Sequence, residues 1–168
     1  IGAGPVGGYS SRLLCERGLS VLMIEEHTEI GRPFQCAGLV TPSAMHAVEA
    51  YGTVVQDVDG ALIHGPSGTL VPVGKDGDLR TYVVCRKRFD QEVVLQGLKA
   101  GADILLESQP TNAVIHSDGV IVSIKNQRTQ EERDVSCKLF IGCDGAHSWV
   151  RRTFKMGRPK EMLVGFQS

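Results

Sequence analysis

Gly2-x-Gly4-x-x-Gly7 opens the chain, Glu25-Glu26 follows about twenty residues later, and Asp144-Gly145 stands near the far end. Glycine at this spacing, between a strand and a helix, is what a dinucleotide pyrophosphate requires. The first glycine allows the tight turn, the second lets backbone approach the phosphates, and the third lets helix and strand pack closely. Pro5 and Val6 lie between the second and third glycines and complete the turn. The N-terminus of the helix that follows supplies N–H groups and a positive dipole to an anion. An acid at the end of the second strand suits a ribose hydroxyl as hydrogen-bond acceptor, which is the reading of Glu25. Glu26 adds negative charge that would repel a 2′-phosphate, so the pocket should take the adenosine of FAD or NAD rather than that of NADP.

Asp144-Gly145 has to be separated from three similar dipeptides, Asp59-Gly60, Asp76-Gly77 and Asp118-Gly119, all of which read as ordinary turns. Its context does this. The apolar run Lys138 to Gly142 reads as a buried strand leading directly into Asp144, and Ala146 to Arg151 reads as a helix directly after it. The carboxylate is thereby expected at the carboxyl edge of a parallel sheet, where open α/β folds bind ligands.

The elements that must position these residues follow from the patterning. Val6 to Arg17 reads as a helix closed by Gly18, and the continuous apolar run Val21 to Ile24 reads as a parallel strand. Thr41-Pro42-Ser43 starts a short helix to about Ala50. Between Val54 and Val84, apolar segments alternate with turn residues, which predicts antiparallel strands. A helix from Arg88 to about Ala100 ends at Gly101, and a strand follows at Asp103 to Leu106. Ala113 to His116 and Val120 to Lys125 form a hairpin about Asp118-Gly119, with Asn126 to Asp134 as a further exposed turn. The expected class is α/β, a Rossmann-like FAD-binding domain with an antiparallel β excursion.

Composition excludes several classes. With 168 residues, 42% hydrophobic, the chain can bury roughly one domain core. A net charge of −1 with dispersed Lys and Arg gives no field for nucleic acid. No apolar run approaches the ~20 residues of a membrane span. The five cysteines, Cys15, Cys36, Cys85, Cys137 and Cys143, are odd in number and widely spaced, which argues for reduced thiols and against a disulfide framework or a metal site. A cytoplasmic location is expected. The glycine turn begins directly after Ile1, with no initiator Met, so a fragment short of both ends is also expected.

Gly2 to Glu25, Arg86-Lys87-Arg88-Phe89-Asp90 and Cys143-Asp144-Gly145-Ala146-His147-Ser148-x-x-Arg151 occur in an order that resembles the flavoprotein hydroxylase superfamily. Within it, Glu29-Ile30-Gly31-Arg32-Pro33-Phe34-Gln35-Cys36-Ala37-Gly38 resembles the geranylgeranyl reductase branch, whose members saturate isoprenoid double bonds with FAD. The resemblance implies a GR2-type FAD domain. Gly2, Gly4 and Gly7 would hold the pyrophosphate, Glu25 the adenosine ribose, Arg86 the flavin ribose or phosphate region, and Asp144, with Gly145, the pyrophosphate and ribityl side. Cys36 and Ala37 would lie in the loop near the isoalloxazine ring. On residue type alone Cys36 reads as a buried small hydrophobe, and the resemblance makes it a candidate for flavin-proximal work. His147 reads as a first-turn helix residue.

The resemblance further implies an FAD-dependent oxidoreductase of CH–CH groups in membrane lipid biosynthesis. Its electron donor would be NADPH or a ferredoxin-like protein, and a lipid substrate implies a peripheral encounter with the cytoplasmic membrane face. An FAD-dependent aromatic hydroxylase and an electron-transfer flavoprotein dehydrogenase relaying electrons to quinone are the alternatives. The division expected is 1–53 and 83–154 as nucleotide-binding core, 54–82 as the β excursion, and 155–168 as the start of a substrate domain. The fragment alone is expected to be inactive and to bind FAD weakly.

Overall fold

The computed structural model describes residues 1–33, 36–74, 78 and 80–165. The expected turn at Asp76-Gly77, and Phe34 and Gln35 of the Cys36 loop, lie outside the described residues.

Helix α1 (Pro5–Cys15) follows the glycine turn, with Gly4 as its N-cap and Pro5 in its first turn, where the missing N–H costs nothing. Strand β1 (Leu22–Ile24) runs parallel to β7 (Asp103–Leu105), pairing Met23 with Ile104. Successive side chains of a strand point to opposite faces, and β1 uses both. Met23 packs with Ala3, Val94 and Ala102 on the helical side, while Ile24 packs with Val122 and Ile124 on the other. The result is three layers.

The outer layer on the Ile24 side is an antiparallel sheet of β8 (Ser108–His116), β9 (Gly119–Asn126) and β10 (Glu132–Cys137), in the order β10-β9-β8. The expected exposed turn over Asn126 to Asp134 is therefore too long. Glu132, Arg133 and Asp134 already pair with Lys125, Ile124 and Ser123. The strand keeps its polar residues because only one face of this sheet is covered.

On the helical side α1 packs against α3 (Arg86–Lys99) with the two backbones close together. A Cβ at Gly8 would stand 2.8 Å from the Val94 amide nitrogen, and one at Gly97 would overlap the Ser11 hydroxyl. Arg12 crosses the seam to Gln96 Oε1 at 2.7 Å and to the Ala47 carbonyl at 2.9 Å. Val93 and Val94 are buried in two different clusters, Val93 beside Met45, Val48, Val84 and Phe89, and Val94 beside Met23. Helix α3 is thus the wall shared by both.

Strand β2 (Leu39–Val40), helix α2 (Pro42–Val48, capped by the Thr41 hydroxyl), β3 (Val54–Val58) and β6 (Thr81–Val84) flank that wall, with strand order β2-β6-β3. Strands β4 (Gly60–His64) and β5 (Leu70–Gly74) form a separate two-stranded hairpin. Leu62, Ile63, Leu70, Val71 and Val73 are exposed on it.

Two expected elements differ near the chain's end. Residues 138–142 form no strand, and Leu139 is 69% exposed. The segment instead brackets Ile1, whose N–H donates to the Ile141 carbonyl while the Cys143 N–H donates to the Ile1 carbonyl, both at 2.7 Å. One paired residue makes a bridge but not a ladder. The following helix, α4 (Trp149–Thr153), starts at Trp149 rather than Ala146, because the Ser148 hydroxyl caps it by accepting the Arg151 N–H. His147 accordingly lies in the turn before the helix, not in its first turn.

Gly8→Ala is expected to destabilise the fold by about 1–3 kcal/mol through overpacking of the α1–α3 seam. Thermal denaturation followed by circular dichroism measures it, and an unchanged midpoint would show that the seam can open at little cost.

Candidate functional site

Four chain segments end at one edge of the parallel layer. Ile1 leads into Gly2, Ile24 into Glu25, Leu105 towards Ser108, and Cys143 into Asp144. Hydrogen bonds tie each to its neighbour: Gly2 N–H to the Ile24 carbonyl at 2.8 Å, Glu25 N–H to Leu105 at 2.8 Å, and Ser108 N–H to Glu25 at 2.8 Å. Between them lies a cleft of about 480 Å³, the size expected of a small-molecule site. Gly2, Gly4, Glu25, Glu26 and Asp144 line it, joined by Ala3, His27, Arg32, Ser108 and His147.

The glycine turn is shaped by close backbone approach. Gly2 adopts φ +92°, and a Cβ there would overlap the Cys143 carbonyl oxygen, while one at Gly7 would overlap the Gly2 carbonyl oxygen. These two glycines are required by the fold itself. Gly4 is different, since a Cβ there would meet nothing and its φ is an ordinary −79°. Open space at this cleft-lining position, above the start of an eleven-residue helix, fits the pyrophosphate of a dinucleotide, which needs near access to the backbone and to the first N–H groups.

Glu25 is nearly buried and fixed from both ends. Its Oε2 accepts the Ala3 N–H at 2.9 Å, and its Oε1 accepts the His27 backbone N–H at 3.1 Å and the His27 Nδ1 hydrogen at 2.6 Å. Glu26 points outwards, its side chain well exposed. Asp144 faces the glycine turn from the other side. Burial disfavours its charge, but the Ser148 hydroxyl and the amides of Val150 and Trp149 outweigh this, so its carboxyl is held below the usual range. Its Oδ2 accepts the Val150 N–H at 3.0 Å, which anchors the Asp144 turn to α4. Trp149 packs edge-on to Phe140.

The remaining expected residues lie elsewhere. Pro5, Val6 and Gly7 belong to α1, with Val6 exposed and Gly7 buried, and none lines this cleft. Gly145 and Ala37 are exposed and outside it. Arg86 grips Asp90 with two nitrogens, at 2.9–3.1 Å. Burial pushes Asp90 up, and Arg86 draws it back. Cys36 is exposed, which corrects its reading as a buried small hydrophobe. Its sulfur accepts the Gly38 N–H at 3.5 Å, and this contact, opposed by burial and helped by Arg86, lowers its pKa. The thiol lies beside the Arg86 cation instead. Among the described residues there is no cluster able to hold a metal ion.

Sequence reading passed over His27, Arg32 and Ser108 to Pro110, which also line the cleft. His27 had a signal in its place two residues after Glu25. Ser108 had none, because adjacency of β7 to β1 is a tertiary fact.

The sequence matches the family model described as FAD binding domain over residues 1–167. It is 33% identical over 156 residues to the digeranylgeranylglycerophospholipid reductase of Methanosarcina acetivorans, covering 90% of this chain and 38% of that protein. The chain thus spans about two fifths of the length of that relative. A geranylgeranyl bacteriochlorophyll reductase-like crystal structure from Thermoplasma acidophilum superposes with a TM-score of 0.73 at 29% identity, covering 82% of this chain and 36% of the other. A flavin-dependent monooxygenase solved with FAD and substrate, 16% identical, has a TM-score of 0.77 over 92% of this chain and 31% of its own, a likeness of fold alone.

Two outcomes test the site. Gly4→Ser keeps a favoured N-cap residue, so the melting temperature should stay within a degree or two, while dinucleotide affinity in a fluorescence titration falls at least about tenfold. For Asp144→Asn, the low carboxyl pKa means that the charge contributes stability above the unfolded value of about 3.9 and loses it as pH falls through the folded value. The melting-temperature gap between wild type and variant should be widest above about pH 4 and close below it. A gap independent of pH would show that the charge of Asp144 carries nothing.

Proposed function

This chain belongs to the FAD binding domain family, and from that premise we propose that the protein is an FAD-dependent reductase that saturates isolated carbon–carbon double bonds of isoprenoid chains in lipid biosynthesis. The observation that carries the substrate class is the 33% identity to a digeranylgeranylglycerophospholipid reductase across 90% of the chain. The cleft supports the cofactor, through open space at Gly4 and an acceptor at Glu25.

In this reading the open backbone at Gly4 and the start of α1 take the pyrophosphate, Glu25 takes the adenosine ribose, and Asp144 closes the opposite wall. FAD, when bound, supplies hydride to the double bond. Arg86, at the start of α3, and the Cys36 thiol beside it face the flavin side in this reading. A proton at Cys36 Sγ is released more readily than from an ordinary thiol, because the Gly38 N–H and Arg86 stabilise the thiolate. Residues 1–53 and 83–154 act as the nucleotide-binding core, 54–82 as the excursion towards substrate, and 155–168 as the beginning of a substrate domain. The donor is NADPH or a ferredoxin-like protein, and a lipid substrate brings a peripheral contact with the cytoplasmic membrane face. No helix among the described residues is long and apolar enough to cross a membrane.

The intact protein, loaded with FAD and reduced anaerobically with dithionite, is expected to add two hydrogens per double bond to digeranylgeranylglycerophospholipid, read by mass spectrometry. Stoichiometric oxygen consumption with an aromatic substrate, and no saturation of the prenyl lipid, would replace this reading with a hydroxylase.

A further inference from the structure

We propose that His27 is a positioning residue for Glu25, fixing the carboxylate so that a single acceptor site on Oε2 is left for the adenosine ribose. The inference rests on the reading of the cleft as an FAD site. A carboxylate offers about four lone-pair positions. Three of them are taken: Oε1 receives two hydrogens, from the His27 amide at 3.1 Å and from His27 Nδ1 at 2.6 Å, and Oε2 receives one, from Ala3 at 2.9 Å. Because a carboxylate oxygen only accepts, Nδ1 must be the ring nitrogen that carries hydrogen. The orientation of the carboxylate about its own axis is thereby set, with Oε1 saturated and Oε2 open.

The backbone that carries the ring is held. Residue 27 is tied through its carbonyl to the Glu107 N–H at 3.1 Å, and its Nε2 stands 4.0 Å from Glu26 Oε1. His27 lines the cleft but is only partly covered, its side chain 42% exposed, whereas that of Glu25 is 12% exposed. A side chain kept for packing would be the more enclosed of the two. Here the exposed ring serves the buried acid. Without the ring, Glu25 keeps its bonds to the Ala3 and residue 27 amides, but a second acceptor position opens on Oε1, and the ribose no longer meets a single one.

The test uses the intact protein and measures FAD affinity by flavin fluorescence, with ADP and 2′-deoxy-ADP as competing probes. Wild type should favour ADP over its 2′-deoxy form. His27→Ala should weaken FAD about tenfold and erase most of that preference, while His27→Asn, whose amide N–H reaches the place of Nδ1, should restore both. Unchanged affinity and preference in His27→Ala would overturn the inference. So would an equal loss for ADP and 2′-deoxy-ADP, or a failure of Asn to rescue, since either marks a merely structural role. Wild type without affinity for FAD would overturn the FAD reading, and this inference with it.

Discussion

Close approach of three backbones at Gly2 is the constraint on which the site depends. The place where a side chain would begin is already filled by the carbonyl of Cys143, and the carbonyl of Gly2 itself fills the corresponding place at Gly7. Residues separated by most of the chain are therefore held at contact distance, and the helix after the turn can begin only where it does. Any side chain at either glycine would push α1 away from the Asp144 turn. The cleft would then lose one wall relative to the other.

Electrostatics adds to this steric seam without replacing it. Glu25 and Asp144 stand on opposite sides of the glycine turn, each satisfied by backbone N–H groups. Two carboxylates facing one anion would be unfavourable if both were free, but hydrogen bonds spend part of their negative charge on the protein's own amides. What faces the cleft is the start of α1 between two restrained acceptors, a pattern suited to a ligand with phosphates in the middle and hydroxyls on either side.

Much of this was legible before the fold was known, for reasons that differ by residue. The glycine spacing and the acid at the end of β1 are local, set by a turn and a strand length, and they emerged where expected. Asp144 lines the cleft, although the strand inferred before it does not exist as such. An apolar run implies a backbone partner on each side, and among the described residues only Ile1 gives 138–142 a backbone hydrogen bond. Helix α4 starts late because a serine side chain outcompetes the backbone for the first N–H groups. Cys36 was misread because burial depends on what covers a loop. The share of Ser108 and its neighbours in the cleft arises from β7 lying beside β1, which no local pattern encodes.

The β4–β5 hairpin has a consequence of another kind. From Gly60 to Gly74 there is no Asp, Glu, Lys or Arg, and apolar side chains are exposed on a pair of strands that belongs to no larger sheet among the described residues. Natural proteins guard such edges with charge, proline or a covering element. Here Pro72 is the one such guard within the two strands, Pro66 lying in the turn between them. An aggregation hazard is thus carried by this ribbon, remote in sequence from the cofactor residues and within the stretch assigned to the substrate side.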